Sequence, residues 1–67
     1  MMKIILNGEA FEAPEGISVA DLIEQLGLAD KRLALERNRE IVPRSQYAEV
    51  ALQPADEIEI VHAIGGG

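Results

Sequence analysis

A chain of 67 residues that contains no cysteine has to stabilise its fold with one small hydrophobic core. A domain of this size buries only about 60% of the surface that its unfolded chain exposes. Disulfides and thiolate metal sites are excluded, and only Phe11 and Tyr47 are aromatic, so Ile, Leu, Val and Ala must form the core. So short a chain rarely also builds an enzyme's cleft, which favours a carrier or an interaction module.

The charge of the chain limits its partners. A formal charge of −6 repels phosphate backbones, so we expect no nucleic-acid ligand. The acidic surface is typical of a solvated domain and would also suit a basic partner surface. The apolar stretch Ile4-Ile5-Leu6 is far shorter than a signal sequence or a membrane span. We therefore expect a cytoplasmic protein that binds no membrane and is monomeric when free.

Two strands joined by a tight turn open the chain. Residues 2–6 are apolar and rich in β-branched side chains, and Asn7-Gly8 is the strongest two-residue hairpin signal. In the second strand, residues 9–13, alternation places Phe11 and Ala13 on the same face. Pro14 then ends the ladder because proline has no N–H to donate.

One amphipathic helix follows the hairpin. Ser18 can cap its first turn, with Asp21 three residues later in a pattern that resembles a capping box. Gly27 suits the left-handed position after the helix, where Leu28 can fold back against Ile23 in a Schellman ending. The spacing i, i+3, i+4 and i+7 forms a single apolar stripe, which contains Val19, Leu22, Ile23 and Leu26.

Three strands are predicted in the second half of the chain, spanning residues 33–37, 40–42 and 57–63. Asn38-Arg39 forms the turn between the first two, and residues 53–56 form a turn before the third. Between them we expect a single helical or 3₁₀ turn around Ser45-Gln46-Tyr47. The order of these elements predicts an α+β fold in which one main helix lies across one face of a mixed sheet.

Side-chain catalysis finds little support in the sequence. The chain has one histidine, His62, and no cysteine, and no metal-ligand spacing surrounds His62. Ser18 and Ser45 have no neighbouring base, and helix capping already explains Ser18. We therefore predict no catalytic residue and no metal site.

The end of the chain is its most distinctive feature. The last strand runs into Ile64 and then Gly65-Gly66-Gly67, with the α-carboxylate as the last group. Glycines can thread a narrow channel beside another protein's backbone, and a tail from residue 63 reaches on the order of 15 Å beyond the body. Adenylation would convert the carboxylate into a reactive mixed anhydride. On the glycines alone, a frayed terminus or a cloning remnant is an equal alternative.

Nearly the whole chain resembles the ThiS family, the ubiquitin-like sulfur carriers of thiamine thiazole synthesis. The features that carry the resemblance are the Asn7-Gly8 hairpin, the helix over residues 18–26, Asn38 followed by residues 40–44, residues 56–61, and the tail over residues 64–67. Arg39 and Ala55 depart from the family pattern, which often has glycine there. If either position requires a positive φ, its turn is weakened by about 1 kcal/mol.

The resemblance implies a β-grasp domain over residues 1–63 and a flexible glycine tail over residues 64–67. It also implies that an E1-like adenylyltransferase of the ThiF type adenylates Gly67 with ATP and Mg²⁺, while Gly65 and Gly66 thread its active site. A sulfur donor protein then supplies sulfur for a thiocarboxylate, which a thiazole synthase of the ThiG type consumes. On this reading the chain binds no cofactor and is a co-substrate of its partner enzymes.

Partner docking is expected on the side of the sheet opposite the helix. Pleat alternation turns Ile5 outward, with Val61 expected near it, and Ile64 is a further candidate for docking. Three alternatives stay open. The first is the same chemistry for molybdopterin or a thiolated tRNA, the second is a ubiquitin-like protein modifier, and the third is a passive binding module.

Overall fold

The computed structural model describes residues 1–62, which form one five-stranded sheet and two helical segments. The elements in chain order are β1 (Met2–Leu6), β2 (Glu9–Ala13), α1 (Val19–Gln25), β3 (Leu33–Arg37), β4 (Glu40–Ile41), a 3₁₀ helix (Arg44–Gln46) and β5 (Glu57–His62). Predictions that concern residues 63–67, including the tail boundary, lie outside the described residues.

The sheet is mixed, with the strand order β2-β1-β5-β3-β4. β1 pairs antiparallel with β2 and parallel with β5, while β3 pairs antiparallel with both β5 and β4. The last strand in sequence is therefore the central strand in space. Buried side chains of α1 share a single core with those of the sheet, which confirms the predicted α+β arrangement of one main helix on one face.

The core is aliphatic, as the composition predicted. Its fully buried large side chains are Ile4, Val19, Leu22, Leu35, Leu52 and Ile58. Met2 also belongs to the core, whereas Phe11 and Tyr47 are only partly buried at its edge. With so few aromatic groups, branched aliphatic side chains from both α1 and the sheet fill the interior.

Both predicted ends of α1 are confirmed. The Ser18 hydroxyl accepts a hydrogen bond from the Asp21 N–H at 3.0 Å, which satisfies one free donor of the first turn. At the other end Gly27 has a φ of +77° and its N–H donates to Glu24. The Leu28 N–H donates to the Ile23 carbonyl at 3.0 Å, which completes a Schellman ending.

Two hairpin turns reverse the chain with positive φ at both central residues. Asn7 and Gly8 have φ values of +49° and +84°, and Asn38 and Arg39 have values of +52° and +72°. This geometry is the type I′ turn, whose twist matches that of the flanking strands. Ala55 also has a positive φ, of +70°, so both positions that depart from the family pattern lie in the region that favours glycine.

The short elements differ slightly from their predicted bounds. β4 ends at Ile41, one residue earlier than predicted, because Pro43 has no N–H to continue the ladder. The Val42 N–H still donates to the Leu35 carbonyl. The 3₁₀ helix begins at Arg44, one residue earlier than the turn predicted around residues 45–47.

Candidate functional site

β5 is the strand that precedes the glycine segment. Ile58 and Ile60 are 1% and 7% exposed and pack into the core, so the strand is anchored between β1 and β3. Glu57, Glu59 and Val61 alternate with them and are exposed, as predicted. The chain then continues from His62 to the glycines, and the roles of Ile64, Gly65, Gly66 and Gly67 stay predictions because these residues lie outside the described part.

The surface of the sheet opposite α1 is here called the open face. The strand registers place on it Lys3, Ile5, Ala10, Glu12, Ala34, Glu36, Ile41, Glu57, Glu59 and Val61. Ile5 faces away from α1, as predicted, and is half-buried. Val61 is 72% exposed and Ile41 is 68% exposed, although both are large and apolar. Exposed apolar side chains on one face favour an interaction surface.

Val61 does not lie beside Ile5, which corrects the prediction for this pair. The parallel register places Ile5 beside Glu57 and Leu6 beside Ile58. Val61 is four residues further along β5, about 13 Å at the rise of a strand, where it pairs with Ala34 of β3. β1 has already turned into the hairpin at that level, so β5 passes beyond it.

Ile41 belongs to the same end of the open face as Val61, and sequence reasoning missed it. Glu36 of β3 pairs with Ile41 of β4 on one side and with Glu59 of β5 on the other. The next outward-facing pair between β3 and β5, two residues along each strand, is Ala34 with Val61. The signal was present in the sequence, because the Asn38-Arg39 turn sets Ile41 opposite Glu36. Val61 and Ile41 therefore flank the carboxylates of Glu36 and Glu59.

These carboxylates form an acidic depression on the open face. Glu36, Arg39, Glu57 and Glu59 line a shallow hollow of about 360 Å³. Glu36 lies directly opposite Glu59, and like charges in that relation destabilise a sheet. The arrangement complements a basic protein surface, as the negative charge of the chain suggested.

Asp56 is the one buried charged residue among the described ones, and it fixes the start of β5. Its carboxylate accepts hydrogen bonds from Arg37 Nε at 2.7 Å, Asn38 Nδ2 at 3.1 Å and the Gln53 N–H at 2.8 Å. Burial alone raises the pKa of Asp56. The hydrogen bonds from Gln53, Arg37 and Asn38 and the Arg37 charge outweigh burial, so the pKa lies below its ordinary value.

The structure also locates the serine and histidine side chains that the sequence analysis considered for catalysis. Ser18 is engaged as the helix cap, and Ser45 lies in the exposed 3₁₀ helix. His62 ends β5 opposite Leu33. Within residues 1–62, no cluster of three or more acidic or histidine side chains could hold a metal ion. None of the helices in that range is long and apolar enough to cross a membrane.

Comparisons with known proteins agree with this geometry. The sequence model of the ThiS family matches residues 4–67. The sulfur carrier protein ThiS of Escherichia coli is 38% identical over 66 residues, which cover 98% of this chain and 100% of that protein. A crystal structure of ThiS from Geobacter metallireducens has a TM-score of 0.84 at 25% identity and covers 98% of this chain and 100% of that one. This likeness confirms the predicted β-grasp fold.

A second kind of relative is much longer. The thiazole synthase of Magnetococcus marinus is 48% identical over 66 residues, which cover 98% of this chain but 20% of that protein. The chain thus spans about a fifth of the length of that relative, and the same holds for the thiazole synthase of Paramagnetospirillum magneticum. Those synthases contain a segment similar to this whole chain. The family match over residues 4–67, the full-length likeness to a sulfur carrier and the shared fold show that the chain belongs to the ThiS family.

Proposed function

We propose that this chain carries sulfur for the thiazole ring of thiamine as a thiocarboxylate on Gly67. The observation that carries the proposal is the family match, which extends through Gly66 and Gly67. The structure supports it by making β5, the strand that leads to these glycines, the central strand of the sheet. A partner can therefore hold the body while the end of the chain enters its active site.

The chemistry belongs to the partner enzymes. A carboxylate oxygen of Gly67 attacks the α-phosphate of ATP, which releases pyrophosphate and leaves an acyl adenylate. Hydrosulfide released by the sulfur donor then attacks the acyl carbon, AMP departs with one of the original carboxylate oxygens, and loss of the S–H proton leaves the thiocarboxylate. The E1-like adenylyltransferase supplies ATP and Mg²⁺, while this chain supplies the carboxylate and the docking surface. On this proposal the chain is a co-substrate, not an enzyme.

The open face is the proposed docking surface for the adenylating partner. Ile5 and Val61 were predicted for this role, together with Ile64. The structure adds Ile41 and the acidic depression, which favour a partner whose basic centre lies between apolar contacts. The thiazole synthases that contain a similar segment favour thiazole over molybdopterin or tRNA as the acceptor.

A mass measurement tests the proposal. The purified chain is incubated with ATP, Mg²⁺, a sulfur source and the adenylating enzyme of its own cell, and its C-terminal fragment is weighed. The fragment is needed because methionine oxidation adds nearly the same mass as exchange of oxygen for sulfur, and Met1 and Met2 lie at the other end. We expect an ATP-dependent exchange of oxygen for sulfur at Gly67.

Two variants serve as controls for this experiment. Deletion of Gly67, or one residue added after it, should abolish loading, while residues 1–62 keep every side chain of the described core. Loading in either variant would contradict the assignment of the carboxylate. Isopeptide adducts in place of a thiocarboxylate would instead indicate a protein modifier. No exchange in the wild-type chain, with an enzyme that loads another carrier, would refute the proposal.

A further inference from the structure

β5 extends past the strand that supports it on one side. The last pair between β1 and β5 is Leu6 with Ile58, and the Asn7 N–H still donates to the Ile58 carbonyl at 2.8 Å. At Asn7 the chain turns away into the hairpin. The next peptide groups of β5 on that side, the N–H and C=O of Ile60, therefore have no further β1 residue to bond.

The side chain of Asn7 takes the place of the missing strand. Its Oδ1 accepts a hydrogen bond from the Ile60 N–H at 2.8 Å, and its Nδ2 donates to the Ile60 carbonyl at 3.4 Å. A carboxamide is planar and has both an acceptor and donors, so it can substitute for a peptide group. Asn7 thus adds one more pair of hydrogen bonds to β5 beyond the end of β1, and this pair is here called the rung at Ile60.

Asn38 makes a related contact at the other end of β5, with its backbone N–H and its side-chain oxygen. Its N–H donates to the Glu57 carbonyl at 2.7 Å, and its Oδ1 accepts from the Glu57 N–H at 2.9 Å. Both asparagines are the first central residues of hairpin turns and have similar positive φ values. They differ in position, since Glu57 begins β5 and Ile60 lies two residues before its end.

We infer that Asn7 is a positioning residue for sulfur loading, because its side chain holds the end of β5 from which the chain continues to Gly67. The inference rests on the proposed function. Without the Asn7 side chain, Ile60 loses its bonds on the β1 side, so this end of β5 separates more readily from β3. The tether to the carboxylate then lengthens, which lowers its effective concentration in the partner's active site.

Matched glycine variants test the inference. Asn7→Gly keeps the positive φ of the turn but removes both side-chain bonds to Ile60, and Asn38→Gly removes the side-chain bond to the Glu57 N–H while keeping the backbone bond to the Glu57 carbonyl. Loading kinetics are measured with the adenylating enzyme at a temperature at which circular dichroism shows both variants folded. Amide exchange at Ile60 gives an independent readout of the rung. Asn7→Asp retains an oxygen for the Ile60 N–H and serves as the conservative variant.

We expect Asn7→Gly to speed amide exchange at Ile60 about fivefold, the effect of losing one ordinary hydrogen bond. Its kcat for loading should fall about threefold or more. Asn38→Gly should keep kcat within about twofold although it also loses a bond to Asp56. Asn7→Asp should recover most of the loss.

Three results would overturn the inference. The first is a wild-type kcat in Asn7→Gly, while the wild-type chain itself is loaded. The second is an equal fall of kcat in Asn7→Gly and Asn38→Gly, which would indicate general stability only. The third is a wild-type chain that is not loaded at all, which would refute the proposed function and the inference with it.

Discussion

Replacing Asp56 by alanine should destabilise the domain by about 3 kcal/mol. Asp56 is 6% exposed, and its carboxylate accepts three hydrogen bonds, from Arg37, Asn38 and the Gln53 N–H. Hydrogen bonds to a charged group contribute about 1.5–3 kcal/mol each, and loss of one partner of a buried pair costs about 3–5 kcal/mol. Because the Arg37 side chain is 31% exposed and can regain water, we take the lower end of that range.

Equilibrium unfolding in urea, followed by circular dichroism, measures this loss. A domain of 67 residues is expected to have a total stability of roughly 3–10 kcal/mol, so Asp56→Ala should be close to half unfolded or strongly weakened in water. Asp30→Ala is the matched control, since Asp30 is exposed and should change the stability by less than about 0.5 kcal/mol. A loss below about 1 kcal/mol for Asp56→Ala would refute the structural role of the network.

The pH dependence of stability tests the same carboxylate independently. Its pKa is lowered in the folded state, so its contribution is present above the ordinary carboxyl pKa of about 3.9 and is lost as the pH falls through the folded value. Asp56→Asn should therefore show a flatter loss of stability than the wild-type chain below about pH 4. Parallel acid-unfolding curves for the two chains would contradict this assignment.

Three further predictions concern turns, caps and charge. Ala55→Gly should raise the free energy of unfolding by about 1 kcal/mol, because glycine adopts the positive φ without strain. Arg39→Gly should raise it by a smaller amount at low salt, because it also removes a positive charge beside the open-face carboxylates. Thermal unfolding at two salt concentrations would measure both effects. Ser18→Ala should lower stability by about 1 kcal/mol in urea unfolding through loss of the helix cap. Glu59→Lys should lower kcat/KM for loading about tenfold and weaken its salt dependence, whereas Glu24→Lys on α1 should change neither. Equal effects of Ala55→Gly and Arg39→Gly at both salt concentrations, an unchanged stability of Ser18→Ala, or equal kinetics of Glu59→Lys and Glu24→Lys would count against the corresponding argument.

The sequence could predict what short-range physics determines. Ser18 and Gly27 mark the ends of α1 through bonds to residues three to five positions away, and Asn7-Gly8 defines its turn without help from the rest of the fold. The sequence identified Arg39 and Ala55 as positions where glycine is common but could not predict their positive φ, because an L-residue gives no local signal that it must adopt that conformation. Local rules therefore recovered the elements and most of their faces.

Long-range pairing was beyond those rules. The separation of Ile5 from Val61 depends on the parallel register of β1 and β5, whose paired residues are more than 50 positions apart in the chain. The bond of Asn7 to Ile60 depends on that register as well, and the bond of Asp56 to Arg37 depends on the register of β3 and β5. Part of the proposed docking surface and the Asn7 rung therefore had to come from the structure.

The two sides of the sheet serve different requirements. On the helix side, each buried residue such as Leu22 or Leu35 stabilises the isolated domain. On the open face, the Glu36–Glu59 pair weakens the isolated domain, and the exposed side chains of Val61 and Ile41 do not stabilise it. Features that weaken or fail to support a small domain are expected where a partner surface neutralises the charges and covers the apolar groups. If so, Glu59→Thr should stabilise the free chain while impairing its loading, and a variant improved in both respects would contradict the docking role.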